Sequence, residues 1–252
     1  MYALVTGASS GMGRDMARLL AKRGYKLILA ARNEKALKEL AAELETKSII
    51  IPIDLSKRKN CFKLFYMLKD KDVEVVINNA GFGEFGEFYK TDLLKELDMI
   101  NVNICALHIL TKLVLRRMLK RNSGYILNVD SLAAFAPGPL MSTYYATKSY
   151  VYKLTTAVNE EIRRSGRNVH ISLFCPGPVD TDFNNRAGVS FSVKPVDSKF
   201  AAYKAVKGMF EGRLVIFPRH VDALTAFAGK LAPVRAAAAV CWHIQKAKQN
   251  DK

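Results

Sequence analysis

The chain has 252 residues, of which half are hydrophobic and a quarter are charged. This balance excludes general disorder, and the length is sufficient to bury a large core without metals or disulfides. The formal net charge of +16 fits three kinds of partner: anionic small molecules, an anionic membrane surface or nucleic acid. The basic residues are scattered over predicted helices without an aromatic-interleaved array, so solvated helix faces are the favoured interpretation and no nucleic acid is expected.

The cysteines are widely separated and form no CxxC pair, so neither a metal site nor a disulfide framework is predicted. They are Cys61, Cys105, Cys175 and Cys241. The first predicted strand begins almost at Met1, which leaves no room for a signal peptide, and no apolar run reaches membrane-spanning length. We therefore expect a cytoplasmic protein.

Short apolar runs alternate along the chain with longer stretches of helical periodicity, the pattern of parallel strands under crossover helices. It predicts a Rossmann-type, doubly wound α/β sheet in a single domain. The predicted strands are residues 3–5, 26–30, 48–53, 73–77, 124–129, 169–174 and 213–217. The predicted helices are residues 11–23, 34–46, 57–69, 93–121, 142–164 and 195–210.

After residue 217 the pattern changes to a basic, alanine-rich mixture, and Pro233 divides it into two predicted helices. We expect residues 1–217 to form the catalytic sheet domain and residues 218–252 to form a basic helical tail packed on or beside it. Residues 181–194 lack clear periodicity and contain Gly188. Because they follow the sixth strand at its carboxyl end, they are a candidate substrate lid.

A glycine-rich turn follows the first strand and leads directly into an amphipathic helix. It reads Thr6-Gly7-Ala8-Ser9-Ser10-Gly11-Met12-Gly13. Glycines let the backbone approach a pyrophosphate, and the start of a helix offers unpaired N–H groups and a positive dipole end to an anion. The preceding strand and the following helix favour a nucleotide site over a purely structural turn.

This turn resembles the TGxxxGxG motif of the classical short-chain dehydrogenase/reductases, and the resemblance extends from Ala3 to about Phe217. Further matches to that family are Asn78-Asn79-Ala80-Gly81 for its NNAG motif, Asp54 for its adenine-contacting acid, and Pro176-Gly177 with Thr181 for its PGxxxT segment. Its catalytic set is matched by Asn103, Ser131, Tyr144 and Lys148. The resemblance implies a cofactor site of Gly7, Ser9, Ser10, Gly11, Gly13, Arg32, Asp54, Asn79, Ala80, Gly81, Tyr144, Lys148, Pro176, Gly177 and Thr181, in which Thr181 holds the nicotinamide carboxamide.

The choice of cofactor depends on the end of the second strand, where an acid would bind the ribose 2′-hydroxyl of NAD. No acid stands there, and Arg32 can pair with the 2′-phosphate of NADP in a bidentate way. NADP(H) is therefore favoured and NAD(H) is the alternative. Arg14 is a candidate to assist. Against this, Arg32 and Arg14 could be ordinary solvent-facing charges, and Glu34 could turn toward a ribose.

Tyr144 and Lys148 are four residues apart and hence on one helix face. A phenol has a pKa of about 10, and a nearby ammonium lowers that pKa and makes the phenol a useful acid–base catalyst. The neighbouring Tyr145 has Ser149 at the same spacing, which carries no charge. Ser131 ends the fifth strand, where open α/β sheets bind ligands, and would hold the substrate oxygen.

The resemblance implies a mechanism in which a hydride passes from the nicotinamide to a carbonyl carbon while Tyr144 protonates the oxygen. Lys148 then restores the proton through the ribose hydroxyl and a water kept by Asn103, for which Asn101 is the competitor. The sequence departs from the family at Asp130, since many members have Ser-Ser where this chain has Asp130-Ser131. We expect Asp130 to point away along the strand, although a buried carboxylate there could perturb the relay.

A hydrophobic ketone is the expected substrate, because several apolar side chains could line a pocket near Tyr144. They are Phe82, Phe85, Phe135, Pro137, Leu140, Phe183 and Phe191, and core packing is the alternative for each. One rival function is a nucleotide-binding or scaffold protein that no longer catalyses. Another is a peripheral membrane enzyme docked through a basic tail containing Lys230, Arg235, Trp242, Lys246 and Lys248. The resemblance also implies a homo-oligomer assembled through helices 93–121 and 142–164.

Overall fold

The computed structural model describes residues 1–183 and 195–247. Seven strands in these residues form one parallel sheet in the order β3-β2-β1-β4-β5-β6-β7. They are β1 (Tyr2–Thr6), β2 (Lys26–Ala31), β3 (Ser48–Pro52), β4 (Val73–Asn78), β5 (Gly124–Val129), β6 (Val169–Phe174) and β7 (Val215–Ile216). The predicted doubly wound fold is confirmed.

The described helices are α1 (Gly11–Lys22), α2 (Glu34–Glu43), α3 (Arg58–Met67), α4 (Leu93–Ile100), α5 (Leu107–Arg121), α6 (Ser142–Ser165), α7 (Ser198–Phe210), α8 (His220–Leu231) and α9 (Val234–Ala247). A π-helical segment, Asn101–Ala106, joins α4 to α5, and a 3₁₀ turn, Leu132–Phe135, follows β5. Helix α7 begins at Ser198 rather than at residue 195, because the Asp197 side chain caps it by accepting a hydrogen bond from the Phe200 N–H at 2.8 Å.

Helices cover both faces of the sheet, because successive strand residues point to opposite sides. Val5 and Leu29 pack with Met16 of α1 on one face. On the other face, Leu4 and Ile28 pack in the core formed with α3 and α5. Strands buried on both sides explain the continuous apolar runs in the sequence.

The order of the strands places a crevice above β1 and β4. Strand β1 pairs with β2 on one side and with β4 on the other, so the chain winds away in opposite directions from this point. Ligands of open α/β sheets bind outside the carboxyl ends of the strands at such a point. The turns after β1, β4 and β5 therefore meet at one edge.

The C-terminal tail packs against the rest of the protein. Helix α8 ends at Leu231 and α9 begins at Val234, with the predicted break at Pro233 between them. The backbone of Gly229 approaches the 3₁₀ turn so closely that a Cβ there would lie 2.9 Å from the Phe135 carbonyl oxygen. In α9, the Gln245 amide donates a hydrogen bond to the Tyr145 hydroxyl at 2.7 Å. The division of the chain at residue 217 stays a prediction.

One helical stretch in the described residues, Leu93–Arg121, has the length and apolar composition needed to cross a membrane. The expectation that no apolar run reaches this length was therefore wrong. Part of the stretch belongs to the core, where Leu110, Val114 and Met118 are buried against the sheet. The predicted lid lies mostly outside the described residues, including Gly188 and Phe191, and so does Lys248 of the tail.

Candidate active site

A cavity of about 1590 Å³ lies at the carboxyl edge of the sheet. Its walls come from the segments that follow strands β1 to β6, and from helices α4, α6, α8 and α9. Sites for one small molecule usually have volumes of about 300–1,000 Å³. The cavity therefore has room for a cofactor and a substrate together.

The glycine-rich turn forms one end of the cavity. Gly7 and Gly11 have φ angles of +66° and +52°, which residues with side chains rarely adopt. Ser9, Ser10 and Gly11 line the cavity, and the first turn of α1 contains no acid. Unpaired N–H groups at an acid-free helix start fit a phosphate.

Gly13 does not line the cavity and instead permits close backbone packing. A Cβ on Gly13 would lie 2.3 Å from the Gly7 carbonyl oxygen and 2.4 Å from Asn79 Nδ2. The same amide of Asn79 donates to the carbonyl oxygens of Thr6 and Gly7 at 3.1 and 3.2 Å. The Thr6 hydroxyl accepts from the N–H groups of Asn79 and Ala80 at 3.0 and 3.1 Å. These contacts tie the turns after β1 and β4 to each other.

Two predicted contacts for the adenosine part of the cofactor also line the cavity. Arg32 lies exposed just beyond β2, and Asp54 follows β3 with its carboxylate accepting from Ser56. Arg14 and Glu34 lie elsewhere. Arg14 pairs with Glu43, Glu34 pairs with Lys38, and neither lines the cavity.

The remaining cofactor-side predictions converge on the same cavity. Asn79, Ala80, Gly81, Pro176, Gly177 and Thr181 all line it. Thr181 contacts the glycine-rich turn, since a Cβ on Gly11 would lie 3.0 Å from its methyl group. A glycine cradle, an acid-free helix start and a cation beyond β2 together fit a phosphate-bearing dinucleotide.

Tyr144 and Lys148 are buried on α6 and both line the cavity. The Lys148 ammonium donates to the Val129 carbonyl oxygen at 2.9 Å, and it lies 5.7 Å from the centre of the Tyr144 ring. Ser131, the first residue before the 3₁₀ turn, hydrogen-bonds Tyr144. The predicted tyrosine, lysine and serine are thus brought together.

Burial dominates the protonation of this group. It raises the pKa of Tyr144 well above its usual value, while the hydrogen bond with Ser131 opposes the rise. It also lowers the pKa of Lys148, an effect opposed by the negative charge of Asp130. The rise for Tyr144 is opposite to the lowering predicted from Lys148, whose charge is not among the influences on the pKa of Tyr144. A phenol with a raised pKa donates its proton efficiently only where the phenolate that forms is stabilised.

Asn103 is buried in the π-helical segment and does not line the cavity. Its amide accepts from the Phe82 N–H at 3.1 Å and donates to the Phe82 carbonyl at 2.9 Å and to the Thr147 hydroxyl at 3.1 Å. Thr147 in turn donates to the Tyr144 carbonyl at 2.7 Å. Asn103 therefore connects the loop after β4 to the beginning of α6.

The expectation that Asp130 points away from the site was wrong. Its side chain is buried, lines the cavity and interacts with Lys148 and Cys175. Strand β5 ends at Val129, so the alternation of side chains along a strand no longer fixes the direction of the next residue.

The rest of the cavity is mainly apolar. Of the predicted pocket residues, Phe82, Phe135 and Phe183 line it, whereas Phe85, Pro137 and Leu140 do not. The opposite wall was missed by sequence reasoning and comes from α8 and α9. Its lining residues include Val221, Thr225 and Ala228 of α8, Ala232 directly after that helix, and Ala236, Val240 and Ile244 of α9. Their spacing of three or four residues is the signal of one helix face, but it does not say what that face contacts.

Comparisons with known proteins agree with this geometry. A family model described as short chain dehydrogenase matches residues 1–189. Human dehydrogenase/reductase SDR family member 11 is 34% identical over 192 residues, covering 72% of this chain and 74% of that protein. A short-chain dehydrogenase from Sphingobium yanoikuyae, solved in complex with NADPH, is 30% identical with a TM-score of 0.83, over 90% of this chain and 92% of that one. A short-chain dehydrogenase/reductase from Burkholderia phymatum, solved in complex with NAD, is 25% identical with a TM-score of 0.81, over 90% and 91%.

The chain belongs to the short-chain dehydrogenase family. It is a nicotinamide-dependent oxidoreductase acting on CH–OH groups and the corresponding carbonyls. The resemblance to the short-chain dehydrogenase/reductases that the sequence motifs indicated is confirmed.

Proposed function

We propose that the protein is an NADP(H)-dependent oxidoreductase that interconverts a bulky, apolar ketone or aldehyde and the corresponding alcohol. The observation that carries this proposal is the placement of Tyr144, Ser131 and Lys148 in one cavity with the glycine-rich turn. The cavity thus holds a general acid, a hydroxyl that can bind the substrate oxygen and a turn that can bind the cofactor's phosphates. Hydride transfer to a carbonyl requires these groups side by side.

The protein's own residues have separate tasks in this reaction. The bound nicotinamide cofactor supplies or accepts the hydride. Tyr144 donates a proton to the carbonyl oxygen, and Ser131 hydrogen-bonds the same oxygen and orients it. The positive charge of Lys148 stabilises the phenolate that Tyr144 becomes when it gives up its proton. Asn103 positions these groups through Thr147 at the beginning of α6, and the water relay implied by the family stays a prediction.

The preference for NADP(H) rests on Arg32, since a guanidinium beyond β2 favours a 2′-phosphate. The two structural relatives bind NADPH and NAD respectively, so NAD(H) is the alternative. We expect Arg32→Ala to weaken NADPH binding about tenfold, a loss of ~1.4 kcal/mol, and to leave NADH binding unchanged. Lys35→Ala is the matched control, because Lys35 is exposed on the adjacent α2 and does not line the cavity. Equal weakening of both cofactors would refute the assignment.

The bulky substrate is inferred from the mouth of the cavity. Four apolar side chains that line it are at least half exposed: Leu94 at 74%, Val221 at 55%, Val240 at 58% and Ile244 at 50%. Apolar surface open to solvent beside a reactive centre favours a ligand that covers it. Aryl, fatty or steroid-like carbonyl compounds meet this requirement, whereas small sugars and acids do not.

The first test is the oxidation of NADPH and of NADH with a panel of apolar and polar carbonyl compounds, followed by the loss of reduced-nicotinamide absorbance. Turnover of only small polar compounds would contradict the substrate class. Tyr144→Phe separates an enzyme from a nucleotide-binding scaffold. We expect it to bind NADPH with the same affinity and to lose about 10²–10⁴-fold in turnover. Unchanged turnover would refute the role of Tyr144.

A peripheral membrane form of this reductase is the second candidate. The outer face of α8 and the start of α9 supports it, since Leu224, Phe227, Leu231 and Val234 are each more than 60% exposed. The basic Arg235 and Lys246 belong to the same tail. If the protein does not co-sediment with vesicles, and adding anionic lipid makes no difference, this form is excluded. The cytoplasmic location and the homo-oligomer through residues 93–121 and 142–164 stay predictions.

A further inference from the structure

A buried acid lies directly beside the proposed oxygen-binding serine. Asp130 is 2% exposed, and its N–H donates to the Phe174 carbonyl at 2.8 Å, which fixes its backbone against β6. One carboxylate oxygen, Oδ2, accepts a weak hydrogen bond from the Cys175 thiol at 3.9 Å. The other, Oδ1, is buried and has no hydrogen-bond donor among the described residues. The Ser131 N–H also favours the ionised form of this side chain, yet a buried carboxylate with so few donors is costly unless a positive charge compensates it.

That charge belongs to Lys148. Its ammonium is buried and is held at the Val129 carbonyl, one residue before Asp130. The attraction is mutual, because Lys148 lowers the pKa of Asp130 and Asp130 raises the pKa of Lys148, each against the effect of burial. Within residues 1–183 and 195–247, the other titratable groups that interact with Asp130 are Tyr144 on α6 and Cys175 after β6, and neither is a cation.

We propose that Asp130 is a positioning residue that acts through Lys148 and holds the proton on this ammonium at alkaline pH. Its charge would widen the pH range over which Tyr144 has a cation beside it. A serine, the residue expected here from the family, can form a hydrogen bond but carries no charge that stabilises a buried ammonium. The inference rests on the proposed function, since it assigns Asp130 a part in that reaction.

The sign of the effect follows from the charge of each group. Burial raises the pKa of Asp130 to about 8, so below that pH the carboxyl is largely neutral and differs little from an amide. Above it, the ionised carboxylate opposes the loss of the Lys148 proton. Replacing Asp130 should therefore change little at pH 6.5 and have a growing effect as the pH rises.

The direct test measures the protonation of Lys148 without turnover. Trace acetic anhydride acetylates only neutral amines, and peptide mass spectrometry at a series of pH values gives the pH at which Lys148 is half reactive. We expect this pH to fall by ~1–3 units in Asp130→Asn and in Asp130→Ser. Asp15→Asn is the matched control, because Asp15 is a buried acid that contacts Arg18 and Ser198 and lies outside the cavity.

A second measurement connects the charge to catalysis. The alkaline limb of the kcat/KM profile for carbonyl reduction should move to lower pH in both Asp130 variants and stay in place in Asp15→Asn. NADPH affinity at pH 6.5 should stay within about twofold of the wild-type value. Two variants are used so that the test survives if one of them does not fold, as judged by circular dichroism.

The outcomes separate this inference from the proposed function. An unchanged half-reactive pH of Lys148 overturns the role of Asp130, whether or not the enzyme turns over. A shifted half-reactive pH with an unchanged alkaline limb overturns its part in the reaction. If the wild-type protein reduces no carbonyl compound, the proposed function fails, and the acetylation result still decides whether Asp130 holds the Lys148 proton.

Discussion

The hydrogen bond between Gln245 and Tyr145 offers a sharp test of whether the C-terminal helix is a fixed wall of the cavity. The donor amide is almost fully buried, with Gln245 1% exposed, and lies 2.7 Å from the Tyr145 hydroxyl. Tyr145→Phe removes the hydroxyl that accepts this hydrogen bond from Gln245. Losing the acceptor of a buried N–H group lowers the free energy of unfolding by ~1–3 kcal/mol. If this contact holds α9 in place, α9 should open locally ~5–150 times more often than in the wild-type protein.

Amide hydrogen exchange followed by mass spectrometry measures that opening. We expect faster exchange in peptides from α9 and unchanged exchange in β1 and β4, which do not contact this bond. Tyr66→Phe is the control, because Tyr66 is 67% exposed on α3 and its hydroxyl should contribute less than ~0.5 kcal/mol. Unchanged exchange in α9 would refute the reasoning.

A double-mutant cycle isolates the pair from the other contacts of Gln245. The free energies of unfolding of Tyr145→Phe, Gln245→Leu and the double variant should reveal a coupling of ~1 kcal/mol. Strictly additive losses would mean that the bond contributes nothing. The KM for a bulky ketone should rise in Tyr145→Phe, since α9 supplies Val240 and Ile244 to the cavity, while the Kd for NADPH should stay constant.

Three further predictions concern the scaffold. Gly13→Ala places a methyl group 2.3 Å from a backbone carbonyl oxygen of the glycine-rich turn. We therefore expect NADPH binding, measured by calorimetric titration, to weaken at least ~tenfold. The free energy of unfolding, measured with urea, should fall by ~1–3 kcal/mol. Thr155→Val removes the buried acceptor of Asn128, which donates to it at 2.9 Å, and should cost ~1–3 kcal/mol, against less than ~0.5 kcal/mol for the less buried control Thr156→Val. The raised pKa of Asp130, about 8 when folded, means that the folded state binds the extra proton. The unfolding free energy of the wild-type protein relative to that of Asp130→Asn should therefore fall as the pH rises from about 4 to 8. If urea unfolding gave the same difference between the two proteins at pH 5 and at pH 8, this prediction would be contradicted.

The sheet and most of the site could be predicted from the sequence because both depend on local patterns. Strands buried on both faces read as apolar runs, and positive-φ turns read as glycines at Gly7 and Gly11. The motif residues converge because the carboxyl ends of parallel strands meet at one edge. Ser131, after β5, and Tyr144, on α6, therefore occupy one cavity, and the contact between them did not have to be foreseen.

The wall formed by α8 and α9 could not be predicted, because it depends on contacts between distant residues. Gln245 and Tyr145 are 100 positions apart, and the small apolar residues of α8 indicate a helix face without indicating its partner. The predicted direction of the Asp130 side chain was wrong for a related reason. Pairing of β5 with β6 ends at Val129 and Phe174, and beyond that pair the period of two no longer applies.

The geometry of the catalytic group follows from how α6 is fastened to the sheet. The helix is attached at three heights: Lys148 donates to the Val129 carbonyl at 2.9 Å, Asn128 donates to Thr155 at 2.9 Å, and Asn159 donates to the Ile171 carbonyl at 3.3 Å. Positions 148, 155 and 159 are seven and four residues apart and hence share one helix face. Three attachments along one face restrict both rotation and sliding of α6. Because Ser131 continues from the same strand that holds two of these attachments, its distance from Tyr144 is set by the scaffold, which is the rigidity that proton transfer over hydrogen-bond distance requires.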